Sequence, residues 1–181
     1  DIHSGRQIWQ FDTIPEQGWE GKFTIYTADG EVLNREIYLE KEALSQYPDS
    51  AKYGGGSAWT TPAIDEITNT LFFGTGNPSP QMSAETRPGD NLYTVSLVAL
   101  DADTGKLKWF YQQVPHDTWG YDVASPPLLF NTINDGKVIP AVGQAGKTGW
   151  FYIHNRNSGE LLLKSEAFVP QNNLFAKATL E

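Results

Sequence analysis

The stretch Asp101-Ala102-Asp103-Thr104-Gly105-Lys106-Leu107-Lys108-Trp109 decides how this chain is read, because it recurs. An earlier copy is Asp1-Ile2-His3-Ser4-Gly5-Arg6-Gln7-Ile8-Trp9, and a weaker one is Asn155-Arg156-Asn157-Ser158-Gly159-Glu160-Leu161-Leu162-Leu163. Each reads as strand, tight turn, strand. Asn, Asp, Ser and Thr hydrogen-bond to nearby backbone, and the Gly that follows tolerates positive φ. The large apolar residue that ends each copy is expected to pack against a neighbouring sheet. Repetition of this kind is the mark of stacked or radial architectures.

Gly105 and Gly159 are 54 positions apart and Gly5 and Gly105 are 100 apart, so the wider interval implies an insertion. The run 34–47 looks like one: Ile37, Leu44 and Tyr47 lie near one face at helical spacing, and Pro48 ends it. Elsewhere the apolar runs are short, aromatic or β-branched and bounded by turn residues. This predicts strands near 57–64, 70–75, 94–100 and 106–112, then near 123–130, 137–143, 149–154 and 160–165. Four antiparallel strands in about 50 residues describe one blade of a β-propeller. The expected fold is therefore all-β, about two four-stranded blades of a partial β-propeller with one short helical insertion. Residues 1–11 then end one blade, 12–53 form the insertion, 54–112 and 113–165 are successive blades, and 166–181 are a connection. Two blades cannot close a ring, so the chain reads as a fragment of a larger one.

Composition agrees. With 17 Gly and 11 Pro in 181 residues and 19% charged residues, the chain is turn-rich and globular. A net charge of −9 opposes a large phosphate-binding face, which makes nucleic acid a poor partner. The absence of cysteine excludes disulfides, cysteine-ligated zinc and thiol nucleophiles within this stretch. Apolar runs such as Leu97 to Leu100 fall far short of the ~20 residues that cross a bilayer, so no transmembrane segment is expected in this chain. The opening Asp1-Ile2-His3-Ser4-Gly5 lacks the basic start and apolar core of a signal peptide, so either the protein is cytosolic or its true N-terminus is missing.

Two motifs are decoys. Ala141 to Thr148 matches a phosphate-binding loop except for its first residue, but Gly149-Trp150-Phe151-Tyr152-Ile153 follows where a helix is needed. Asp101-x-Asp103 suggests a calcium loop, yet Gln112 stands where a bidentate Glu belongs, and a plain turn is expected.

Four stretches stand out together: Gly54-Gly55-Gly56-Ser57-Ala58-Trp59, Gly74-Thr75-Gly76-Asn77-Pro78-Ser79-Pro80, Arg87-Pro88-Gly89-Asp90-Asn91-Leu92-Tyr93-Thr94 and Pro115-His116-Asp117-Thr118-Trp119-Gly120-Tyr121-Asp122. In order and spacing they resemble the quinoprotein alcohol dehydrogenases, which use pyrroloquinoline quinone (PQQ) on an eight-bladed propeller. The quoted repeat likewise resembles that family's tryptophan docking motif, which ties successive blades together.

The resemblance implies roles that suit the residue types. Trp59 matches the cofactor floor, since an indole gives the largest flat stacking area of any side chain. Ser57 matches the contact to a cofactor carboxylate. Asn77 matches an amide ligand of the metal, a calcium or lanthanide ion, that polarises the quinone. Lys147 matches the cation that contacts the quinone oxygens and stabilises the reduced form. The family further implies an alcohol substrate, a cytochrome c or quinone electron acceptor and a periplasmic location. Its glutamate metal ligand and its disulfide ring fall outside this chain.

One position departs from the pattern. Gly120 stands where the family has the aspartate taken as general base, and glycine accepts no proton. Asp122 lies two residues on, at the place of the additional aspartate in the lanthanide-dependent branch. Three readings stay open: Asp122 is the base; Asp122 ligates metal while another residue or water is the base; or the site binds cofactor without oxidising alcohols. A non-catalytic propeller used as a binding or assembly scaffold is the competing function. His116 and Asp117, as neighbours on an extended segment, would point to opposite sides and are read as structural.

Overall fold

The computed structural model describes residues 1–169. Ala63–Asp65 (β1), Thr70–Gly74 (β2), Ser96–Asp101 (β3) and Leu107–Gln112 (β4) form one antiparallel sheet in the order β1-β2-β3-β4. Leu128–Asn134 (β5), Lys137–Ala145 (β6), Phe151–Asn155 (β7) and Leu161–Lys164 (β8) form a second in the order β5-β6-β7-β8. These are two propeller blades. The connection expected over 166–181 lies, from residue 170 on, outside the described residues.

All the expected strands are present, but two start late. The first begins at Ala63 instead of 57 and the fifth at Leu128 instead of 123. Pro62 and the Pro126-Pro127 pair lack the N–H that a ladder requires. Between β5 and β6, Asn134 pairs with Lys137, and Asp135 and Gly136 take φ of 49° and 74°. Two positive φ values in a two-residue loop match the twist of the flanking strands.

The first sheet is buried on both faces. Phe72, Leu97 and Ala99 meet Trp109 and, from the second sheet, Leu129 and Val142. Phe73, Val98 and Leu100 point the other way and meet Trp9, Phe11 and Tyr93. The repeat locks these layers. Trp9 Nε1 donates to the Ala102 carbonyl at 3.0 Å, and Trp109 Nε1 donates to that of Arg156 at 3.1 Å. Each indole lies on the turn glycine of the next copy. A Cβ on Gly105 would stand 2.6 Å from Cδ2 of Trp9, and one on Gly159 would stand 2.7 Å from Cδ2 of Trp109. Asp65 of β1 adds an ion pair with Arg156 at 3.0 Å.

The insertion departs from expectation. Its helix is Ile37–Ala43 (α1), shorter than 34–47, and none of its residues is buried. Ion pairs hold the segment instead. The Arg35 guanidinium grips Glu40 at 2.9 and 2.6 Å and Asp90 at 2.6 Å, which draws residue 35 out of the helix. Asp90 also accepts the amides of Lys22 and Thr24 at 2.8 and 2.9 Å.

Candidate cofactor and metal site

The segments that carry the candidate residues meet at one end of both sheets, where β1 and β5 begin and β2 and β6 finish. Gly54 to Ser57 runs along Gly76 to Ser79: Gly56 N–H donates to the Asn77 carbonyl at 2.8 Å, Gly76 N–H to that of Ser57 at 3.0 Å, and Ser79 N–H to that of Gly54 at 3.2 Å. This pairing requires glycine at 55, since a Cβ there would sit 2.6 Å from both the Asn77 oxygen and the Ser79 nitrogen. The other wall is laid against β2. Val123 N–H donates to the Thr75 carbonyl at 3.1 Å, and Lys147 N–H donates to that of Asp122 at 3.2 Å. The Val123 carbonyl approaches Gly74 so closely that a Cβ has no room there.

These backbone contacts converge the side chains. The Asp122 carboxylate is 9% exposed; its Oδ1 accepts the Asn77 backbone N–H, and its Oδ2 pairs with Lys147 Nζ at 2.5 Å, with Lys147 51% exposed. Below them is Gly76. A Cβ at Gly76 would lie 3.2 Å from Asp122 Oδ1, 3.2 Å from Trp59 Nε1 and 3.5 Å from Ser57 Oγ. Carboxylate, indole and hydroxyl thus converge over Gly76 in a niche that a single Cβ would enter only if its neighbours gave by a few tenths of an ångström. Trp59 is 55% exposed in this chain. Asn77 Nδ2 donates to the Pro78 carbonyl at 2.7 Å, so the amide oxygen is the end left to accept or ligate. Among the described residues no three His, Cys, Asp or Glu side chains converge, so a cation at Asp122 and Asn77 needs further ligands.

The loop before Asp122 is built on Asp117 and Arg87. Asp117 accepts the amides of Trp119, Gly120 and Tyr121 at 2.8–3.1 Å. Burial raises its carboxyl above the ordinary carboxylate value, while these donors and Arg87 pull it down. Arg87 is fully buried and donates to the carbonyls of Pro80, Gln81 and Asp117 at 2.7, 2.8 and 2.5 Å and to Asn91 Oδ1 at 2.5 Å. Burial pushes this guanidinium down to about 10, which leaves it charged at neutral pH. His116 Nδ1 bonds the Gly89 carbonyl at 2.8 Å, and burial lowers the ring to about 4, so it is neutral there. His116 and Asp117 thus brace a loop, although the segment is not a strand. Behind it lies a cavity of about 240 Å³, walled by Leu33, Leu39, Met82, Val114, Trp119 and Tyr121.

The decoys resolve as turns. Residues 141–148 run from β6 toward β7 with no helix between them, and Asp101 Oδ1 accepts Thr104 N–H and Oγ1–H at 3.0 and 2.7 Å.

Residues 1–179 match the family model described as PQQ: Glucose/ethanol/alcohol dehydrogenase, beta-propeller domain. The chain belongs to this PQQ-dependent dehydrogenase family. It is 34% identical over 159 residues to quinoprotein alcohol dehydrogenase PedH of Pseudomonas putida, covering 88% of this chain and 26% of that protein. It is 30% identical over 181 residues to the lanthanide-dependent methanol dehydrogenase of Methylorubrum extorquens, covering 100% of this chain and 29% of that one. The solved quinohemoprotein alcohol dehydrogenase ADH-IIG of Pseudomonas putida superposes with a TM-score of 0.68 at 32% identity, over 92% of this chain and 23% of that structure. The chain therefore spans about a quarter of the length of these relatives.

Gly74, Gly76 and Arg87 stand inside the quoted motifs of this PQQ-family chain, but their part in the site was not legible there. Glycine at a strand end signals only close backbone approach, and nothing in the pattern separates a buried arginine from a solvated one. Gln81, which touches the loop at Gly120, stood outside every motif.

Proposed function

We propose that this chain is the cofactor-bearing sector of a PQQ- and metal-dependent dehydrogenase that oxidises an alcohol or related hydroxyl compound. The niche over Gly76 carries the reading, because the indole of Trp59, the hydroxyl of Ser57 and the carboxylate of Asp122 meet there and Asp122 is paired with the Lys147 ammonium. These groups fit the cofactor. Trp59 would stack on a planar quinone, Ser57 would donate to a cofactor carboxylate, and Lys147 would contact the quinone oxygens. Asn77 and Asp122 supply oxygen donors of the kind calcium and lanthanide ions take. Bound PQQ would supply a hydride acceptor, and a bound metal would supply a Lewis acid at its carbonyl.

Asp122 is the pivot of the site. Its partner Lys147 is half exposed, so solvent screens their ion pair on the ammonium side. Gly120 offers no group that takes a proton. Asp122 therefore ligates the metal and carries part of the proton removal. The same reading gives a periplasmic protein that passes electrons to a cytochrome c or a quinone, in keeping with a relative that is a quinohemoprotein. No helix among the described residues is long and apolar enough to cross a membrane.

The missing side chain at Gly120 favours a second reading, a non-catalytic propeller that serves as a scaffold. Reconstitution of the full-length protein with PQQ and either calcium or a light lanthanide separates the two. Cofactor absorbance with dye-linked alcohol oxidation is the expected result. Bound PQQ without turnover supports the scaffold, and no PQQ uptake with either metal defeats the dehydrogenase reading.

A further inference from the structure

The side-chain space at Gly120 is already filled, and the group that fills it comes from another loop. A Cβ on Gly120 would lie 2.5 Å from Gln81 Nε2, 2.9 Å from its Cδ and 3.3 Å from its Oε1. The carboxamide is oriented by chemistry: Nε2 donates to the Trp119 carbonyl at 3.1 Å, so the acceptor oxygen is the end left for another donor. The main chain beneath is anchored as well. One buried guanidinium, that of Arg87, donates to the carbonyls of both Gln81 and Asp117 at 2.8 and 2.5 Å, tying the two loops together. Gly120 N–H is bound to the Asp117 carboxylate at 3.0 Å, and its φ is 80°. Met82, Trp119 and Tyr121, the chain neighbours of this contact, line the adjacent cavity, while Gln81 and Gly120 stand outside it.

A carboxamide offers an acceptor oxygen without adding charge.

Resting on the dehydrogenase reading above, we propose that Gln81 is the substrate-positioning residue of this site: its carboxamide occupies the side-chain space of position 120, and its Oε1 accepts the hydrogen bond of the alcohol hydroxyl. Gln81 takes up no proton. It orients the hydroxyl, and the proton leaves to Asp122 or to water.

The test uses full-length protein loaded with PQQ and metal. In Gln81→Ala the KM for 1-butanol rises roughly tenfold, the loss of one hydrogen bond, with a smaller change in kcat. The dissociation constant of 2-methyl-2-butanol, a tertiary alcohol that cannot be oxidised, rises by the same factor in calorimetry. Gln81→Glu places a titrating carboxylate at this spot and adds an acid limb to the pH profile of kcat/KM. Either variant loses one side-chain hydrogen bond, that to the Trp119 carbonyl, so melting temperature changes little. PQQ absorbance equal to wild type with KM and probe affinity within twofold overturns the Gln81 assignment alone. A wild-type protein that takes up no PQQ overturns the dehydrogenase reading, and the assignment with it.

Discussion

Alanine at Gly74 or at Gly76 separates the support of the site from the space within it. Neither residue has a left-handed φ, so the added Cβ is the whole perturbation. At Gly74 it would stand 2.7 Å from Gln144 Nε2 and 3.1 Å from Val123 Cγ1, with the Val123 carbonyl oxygen nearer still. A backbone oxygen cannot rotate away. The segment around Val123 must shift, at the expense of the Val123 to Thr75 bond at 3.1 Å and the Gln144 to Ser125 bond at 2.7 Å. Overpacking costs about 1–3 kcal/mol and each lost hydrogen bond about 1, against a gain of up to about 1 from a stiffer unfolded chain. Gly74→Ala is therefore expected to destabilise by about 2–4 kcal/mol. At Gly76 the neighbours are side-chain atoms at 3.2, 3.2 and 3.5 Å, which give by a few tenths of an ångström. Gly76→Ala stays within about 1 kcal/mol of wild type, yet its methyl group fills the niche. Urea unfolding and PQQ titration of the full-length protein read the two effects. Gly76→Ala with wild-type PQQ affinity would falsify the niche as the cofactor seat. Equal stability of the two variants would show that the approach of Val123 to Gly74 does not support the wall.

Trp109→Ala removes an indole seated on Gly159 and tilted against Phe72 at 5.7 Å, and should cost about 3–5 kcal/mol in chemical denaturation; a loss under about 1 kcal/mol would mean that docking contributes little. Arg87→Lys retains charge but cannot reach the carbonyls of Pro80, Gln81 and Asp117 and the Asn91 amide together, and should destabilise by about 3 kcal/mol or more. A wild-type melting temperature in this variant would refute the clamp. His154 is fully buried among Trp109, Tyr111 and Tyr152, and burial lowers its ring from 6.5 to about 4. Below pH 6.5 the unfolded chain binds a proton that the folded chain refuses, so this residue makes stability fall as pH drops toward about 4, by up to about 1.4 kcal/mol per unit. His154→Asn should flatten that slope, and an unchanged slope in pH-dependent urea titrations contradicts the burial argument.

The strands and the repeat were legible in the sequence because their causes are local. Short aromatic or β-branched runs and a polar-Gly turn specify strand and hairpin whatever else is nearby, and the Trp that ends the first two copies can bury itself only on a neighbour. The helix of the insertion is shorter than its spacing predicts, for the converse reason. Its helical spacing is local, but Arg35 is claimed by Asp90, 55 positions away, and the helix shortens to Ile37–Ala43. Ser57, Trp59, Asn77, Asp122 and Lys147 were named by motif order, which says nothing of distance.

What the sequence determined by itself was the blade pattern, the residue types offered to a quinone and a hard cation, and the absence of a proton acceptor at 120. Only the tertiary structure decided that Asp122 and Lys147 touch, that Asp122 and Trp59 converge over Gly76, and that Gln81 fills the space beside Gly120. The reason is physical. Close approach depends on which groups lack a Cβ and which buried cation ties two loops together, and both are properties of contacts between residues far apart in the chain.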